Sequence, residues 1–305
     1  MAMMPSSLAS HPSFEFRRRE RLTAGSCAMH PNGSRAQLLD VVAQTIVPEL
    51  TQHHRQEQRL EHDRAVDAAA LELARVAAAS DVGLAAERVG QLCPGIGSNV
   101  VEGAELLERA ARALGDLWTG DQCSEFDVAV GLCGLQLALR RLGLAWRATP
   151  VQPGPAPAVL VAPEPGEPHL LRASLDSELL WLAGWNPGYE FPATDEALQR
   201  LVASTWFDAL DVSLSLTFRR EHWVPRVAET IARARQASRN PRLLVFVAGR
   251  LFVDCPDAWR QVAADGWCPT AATLAQAIRD RWHPSNRGPE DNPWLPGDDV
   301  KTVAE

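Results

Sequence analysis

The stretch Ala158-Val159-Leu160-Val161-Ala162-Pro163-Glu164-Pro165-Gly166-Glu167-Pro168-His169-Leu170-Leu171 decides the fold. Its first five residues form an unbroken apolar run that reads as a buried strand. From Leu170 to Ala183 the pattern is helical. His169 therefore stands at the carboxyl end of a first strand, in the loop entering a first helix. In open α/β sheets ligands bind at that place. An acidic residue two positions before a histidine, as Glu167 is, can orient the imidazole as a metal ligand.

Downstream, strands and helices alternate. Strands are expected at Ala158–Ala162, near Gly188–Phe191, at Ala209–Leu216, at Leu243–Val247 and near Gly266–Cys268. Helices are expected at Leu170–Ala183, Asp195–Ser204, Trp223–Ser238, Asp257–Ala263 and Ala271–Arg281. Five short strands separated by helices imply a flavodoxin-like (Rossmann-like), doubly wound parallel sheet over residues 158–282. The stretch 283–305, rich in Pro, Asp and Gly, reads as a loose tail.

Upstream the pattern is all helical. Residues 1–35 lack periodicity and read as disordered. Residues 36–147 read as a helical bundle. Leu38, Leu39, Val42, Ile46 and Leu50 make an apolar stripe, followed by an exposed helix end with His53, His54 and His62. Separate helices follow at Ala65–Ala79, Val82–Leu92, Asn99–Trp118 and Ser124–Leu142. The Asn99 helix has Leu106, Leu107, Ala110, Leu114 and Leu117 as its core face, with Ser98 and Glu102 as a loose start signal. The last has Phe126, Val130, Leu135, Leu137 and Leu142 on its apolar side. Residues 148–157 are a proline-rich, semi-rigid linker.

The chain has 305 residues, 46% of them hydrophobic and 22% charged, with a net charge of −8. That charge gives no electrostatic footprint for strong DNA binding. The basic run Arg17-Arg18-Arg19-Glu20-Arg21 reads as a solvated tail. Cys27, Cys93, Cys123, Cys133, Cys255 and Cys268 form no C-x-x-C pair, so no zinc site is suggested. They read as reduced thiols of a cytoplasmic protein, with a redox role at Cys123 or Cys133 left open. No apolar run is expected to reach membrane-spanning length, and no secretory signal is expected. There is no Gly-x-Ser-x-Gly, P-loop or dinucleotide fingerprint, and a non-enzymatic protein is expected.

The strand–Glu-x-His–helix arrangement resembles the cobalt-ligating loop of cobalamin-binding domains. Further residues match in order: Ala113-Leu114-Gly115-Asp116-Leu117-Trp118-Thr119-Gly120-Asp121-Gln122-Cys123-Ser124-Glu125-Phe126-Asp127-Val128, then Ala183-Gly184-Trp185, Trp206-Phe207-Asp208, Ser213-Leu214-Ser215 and Ala237-Ser238-Arg239-Asn240. With these the chain resembles the AerR/PpaA group of bacterial regulators, whose relatives include heme-binding sensor domains. The resemblance implies a helical bundle capping a cobalamin-binding α/β domain. His169 would be the lower axial ligand of cobalt, its other nitrogen held by a carboxylate or a carbonyl. Glu167 serves only if the loop folds back, and Asp176 is the alternative. Trp118 would cover the upper face of the ring. Ser213 would bond the cofactor's buried base, with Ser215 and Gly249 also at the cofactor.

The chain also departs from the patterns it resembles. Val128 and Ala129 stand where related photosensors have a Glu-His pair. Arg172, Asp211 and Ala248 stand where cobalamin domains have glycines that flank the nucleotide tail. These substitutions suit a tail-free tetrapyrrole such as heme on His169, or a domain without a cofactor. The expected function is a tetrapyrrole sensor, cobalamin first and heme second. It would relieve repression of photosynthesis genes by binding a DNA-binding repressor of the PpsR/CrtJ type. A cofactor-free interaction module and a corrinoid carrier for methyl transfer are the other readings. Trp181, Trp185, Trp206 and Trp259 are expected to pack helices on the sheet, and Trp267 to line the crevice. His222 reads as a helix-start residue.

Overall fold

Ala158–Pro163 forms β1, with every residue buried. Its side chains alternate between the faces of the sheet. Ala158, Leu160 and Ala162 enter one core, and Val159 and Val161 the other. Leu171–Leu182 follows as α5, then β2 (Asn186–Tyr189), α6 (Asp195–Ser204), β3 (Ala209–Ser213), α7 (Trp223–Ala237) and β4 (Leu244–Ala248). Two short helices, α8 (Arg250–Asp254) and α9 (Ala258–Gln261), lead to β5 (Gly266–Cys268) and α10 (Ala271–Arg279). All neighbouring strands pair in parallel, in the order β2-β1-β3-β4-β5. The expected doubly wound, five-stranded parallel sheet is thus present. The order reverses between β1 and β3, and a crevice opens at such a switch point.

This computed structural model describes residues 39–79, 82–92, 99–147, 157–215 and 222–283. The expected disordered start, most of the linker, the end of the Ala209–Leu216 strand, Ser98 and nearly all of the tail lie outside them. The chain divides into two compact units, Met1–Arg59 and Leu60–Glu305.

In the first unit, residues 39–59 are helical, with a π-helical turn at Val42–Ile46. Leu39, Val42, Ile46 and Leu50 are exposed, so the stripe expected to face a core does not do so. The helices expected before and after His53 are one element, α1, Val47–Ala78. Its only proline, Pro48, directly follows the π-helical turn Val42–Ile46 within helix that is continuous from residue 39. The charged run after it does not stop a helix.

In the second unit, α2 (Val82–Leu92), α3 (Val100–Thr119) and α4 (Glu125–Arg147) form the bundle. Asn99 caps α3, its side chain accepting from the Glu102 amide at 3.3 Å. The bundle core joins Leu73, Leu106, Leu107, Leu114, Leu135 and Trp146 to Leu171, Leu175 and Leu179 of α5. So α5 serves two cores, packing the bundle on one side and the sheet on the other. Phe126, expected on the apolar side of α4, is exposed instead. Also against expectation, the Glu125–Trp146 segment is long and apolar enough to cross a membrane by length and composition. Leu135, Ala138, Leu139 and Trp146 of that helix are buried in the bundle core.

Candidate functional site

The loop after β1 folds back on itself. Glu164-Pro165-Gly166-Glu167 is a tight turn, with the Glu167 amide donating to the Glu164 carbonyl at 2.8 Å. Gly166 has φ +88°, the left-handed value that a turn with proline before it favours in glycine. This turn brings Glu167 to His169.

The Glu167 carboxylate then gathers two chain segments. Its Oε1 accepts from the His169 amide at 2.9 Å and from Ser215 Oγ at 2.8 Å. Its Oε2 accepts from the Ser215 amide at 2.7 Å. His169 Nδ1 lies 3.0 Å from Ser215 Oγ and 3.3 Å from Glu167 Oε1. Burial pushes the Glu167 carboxyl up, but the bonds from His169 and Ser215 outweigh it and hold it below the usual range. An ionised carboxylate only accepts, so the Ser215 hydroxyl proton goes to Glu167. Ser215 Oγ must then accept, and Nδ1 of a neutral His169 carries the proton. Nε2 carries the lone pair, which is the arrangement a metal-binding histidine needs. Asp176, the alternative holder, instead pairs with Arg172 Nε at 2.7 Å.

His169 and Ser215 line an open, mostly apolar cleft. Ser213, Leu214, Gly249 and Val253 line it from the sheet side, and Ala111, Gly115, Trp118, Val128 and Leu132 from the bundle. Trp118 is therefore part of the cleft and only half-buried. The tryptophan that closes the bundle core is Trp146. Glu108, Ala111, Gly115 and Trp118 fall three or four apart on α3. Small residues in the middle of that face leave the cleft open.

One expected site residue has a local explanation as well, and another has none. Gly249 has φ +98°, and a Cβ there would lie 2.0 Å from the Leu214 carbonyl oxygen. Glycine is thus required by the close approach of the chain after β3, whatever the cleft holds. Ser213 is buried, and its Oγ has no partner among the described residues. It is an orphaned hydroxyl at the cleft wall, the kind of group a ligand satisfies.

The innermost wall is ionic. Arg172 Nη1 bonds Glu108 Oε1 at 3.0 Å, and its Nη2 bonds the Cys268 carbonyl at 3.2 Å. Asp176 and Asp211 are fully buried beside it. Burial, then the neighbouring Asp176 charge, raises the Asp211 carboxyl well above its usual range. Asp211 then holds the proton that lets these two carboxyl groups coexist. Glu108 also accepts from the Ala271 amide at 3.1 Å, the start of α10. No reading of the sequence singled out Glu108. The available signal was an acid on the same helical face as Ala111 and Gly115.

Other expectations are corrected. Trp267 packs with the core of α7 and α9 and is not among the cleft residues. Burial, then Asp127, pushes the Cys123 thiol up, opposite to a reactive thiolate. His222 precedes α7 as its cap residue, as expected of a helix start. No group of three or more His, Cys, Asp or Glu among the described residues is placed to hold a metal ion alone.

Neither a protein-family model nor a curated protein matches the chain. Solved structures do. The Methanosarcina barkeri monomethylamine corrinoid protein superposes with a TM-score of 0.57 at 12% identity, over 69% of this chain and 97% of that one. A cobalamin-binding protein from Desulfitobacterium hafniense DCB-2 aligns at 16% identity over 70% of this chain and 98% of that one, with a TM-score of 0.36. At such identities the first likeness establishes the fold alone: a helical domain followed by the Rossmann-like sheet of a corrinoid protein.

Proposed function

We propose that this chain is a tetrapyrrole-binding sensor, for a corrinoid or heme ring, that regulates transcription through a protein partner. The observation that carries this reading is the clamp on His169. Glu167 and Ser215 hold the Nδ1 side of the imidazole, so His169 would hold a ring metal through Nε2. Trp118, on the bundle side of the same cleft, would lie against the ring. A bound ring would supply a metal that responds to light or oxygen. The protein's part is to fix the imidazole, exclude water with apolar walls and couple α3 to the sheet. A change at Trp118 alters the arrangement of the bundle only if the ligand states differ in affinity for two arrangements.

The finer role follows from the resemblance to the AerR/PpaA group. The chain would act as an antirepressor, binding a repressor of the PpsR/CrtJ type and relieving repression of photosynthesis genes. Its net charge of −8 favours output through protein contacts over DNA contacts. The test has two parts. Protein purified after supply of cobalamin or heme should carry a corrinoid or Soret band. Capture of a photosynthesis-gene repressor should depend on added tetrapyrrole or on Trp118. Absence of both bands, or tight sequence-specific DNA binding by the protein alone at physiological salt, would contradict the proposal.

A further inference from the structure

A metal with His169 on its lower face has no second place there for a base. If the ring carries a nucleotide tail, the tail must lie elsewhere. Arg172 lines the same cleft as His169 and is held there, tied to Asp176 at 2.7 Å, to Glu108 at 3.0 Å and to the Cys268 carbonyl at 3.2 Å. Asp211 stands in mid-strand beside it, paired in register with Val161 and Phe246 and fully buried. Three acids meet one guanidinium in this crevice. A nucleotide tail brings a phosphodiester, and Arg172, already matched by Asp176 and Glu108, has no uncommitted charge to receive it. Entry would also leave Asp176 and Glu108 without their cation.

Resting on the proposal that His169 binds a ring metal, we infer that the site selects a tetrapyrrole with no nucleotide tail in the crevice. Arg172 and Asp211 are its specificity-determining residues. Cobinamide and heme share this chemistry, a flat metal-bearing ring without a tail. The apolar walls at Val128, Leu132, Leu214 and Val253 suit either. Arg112 and Arg250, also at the cleft, pair with Glu108 at 3.3 Å and with Asp116 and Asp254 at 3.0 and 2.8 Å.

The experiment is an absorption titration of the full chain with cobinamide, cobalamin and heme. Cobinamide or heme should bind at least about tenfold more tightly than cobalamin. In the Arg172→Gly/Asp211→Gly variant, cobalamin should gain about tenfold while cobinamide changes by less than about threefold. The comparison of ligands on the unaltered chain needs no substitution, so it decides even if that variant does not fold. Cobalamin bound more tightly than cobinamide by the unaltered chain would overturn the inference, as would equal tightening of both ligands in the variant. In either case the role of His169 survives. If no ring binds the unaltered chain, that role falls and the inference with it.

Discussion

His169 depends on two residues that sequence spacing treats unequally. Glu167 is close in the chain, but reaches the imidazole only because Pro165-Gly166 turns the loop back. Ser215 lies 46 residues away and meets it because β1 and β3 are neighbours. The candidate ligand was legible from the strand–loop–helix pattern, whereas the clamp needed the sheet order. Replacing Glu167 by Gln should weaken ring binding by about 10- to 100-fold in an absorption titration, since an amide can leave Nε2 protonated instead. Glu164, in the same turn, is fully buried beneath α7. Burial raises its carboxyl from 4.5 to about 7, and the bond from Thr230 offsets this only in part. Between those values the folded chain binds the proton and the unfolded chain does not. Its contribution therefore lowers stability as pH rises from about 4.5 to about 7, and levels off above. Glu164→Gln should remove up to about 3 kcal/mol of that slope in urea unfolding followed across this range. A parallel pH profile in both proteins would refute it.

Among the elements, α3 joins bundle to sheet through one acid. Glu108 meets Arg172 of α5 and the first amide of α10, partners 64 and 163 residues away. Such a latch is invisible to periodicity, which sees only an acid beside Leu106 and Leu107. Glu108→Ala should cost about 3 kcal/mol in denaturant unfolding, because Arg172 then keeps an incomplete set of buried partners. Gly249→Ala should cost roughly 3 kcal/mol with or without a ring, since strain and the clash with Leu214 are both local. Most strands and helices were legible because period two and period 3.6 are local signals. Asp195–Ser204 and Val82–Leu92 have the expected bounds, while α8 was missed as only five residues long. The merged α1 shows the converse. Polar residues mark a helix's exposed face, and without glycine or proline they do not mark its end.

For the molecule as a whole, β/α alternation sufficed for the sheet, because right-handed crossovers leave few topologies. How the bundle packs was not legible. It rests on Leu171, Leu175 and Leu179 of α5, a helix whose sequence already accounts for itself by packing on the sheet. A ring held between bundle and sheet binds only the folded chain. At a free concentration of about 100 times its dissociation constant it should therefore raise stability by about 2.7 kcal/mol. His169→Ala should abolish most of that gain. The most direct measurement is the absorption spectrum of the protein loaded with cobinamide or heme, compared with His169→Ala folded to the same extent. An imidazole-ligated metal band in the unaltered chain that disappears in the variant is the expected result. The same band in both would contradict the assignment of His169 as the metal ligand.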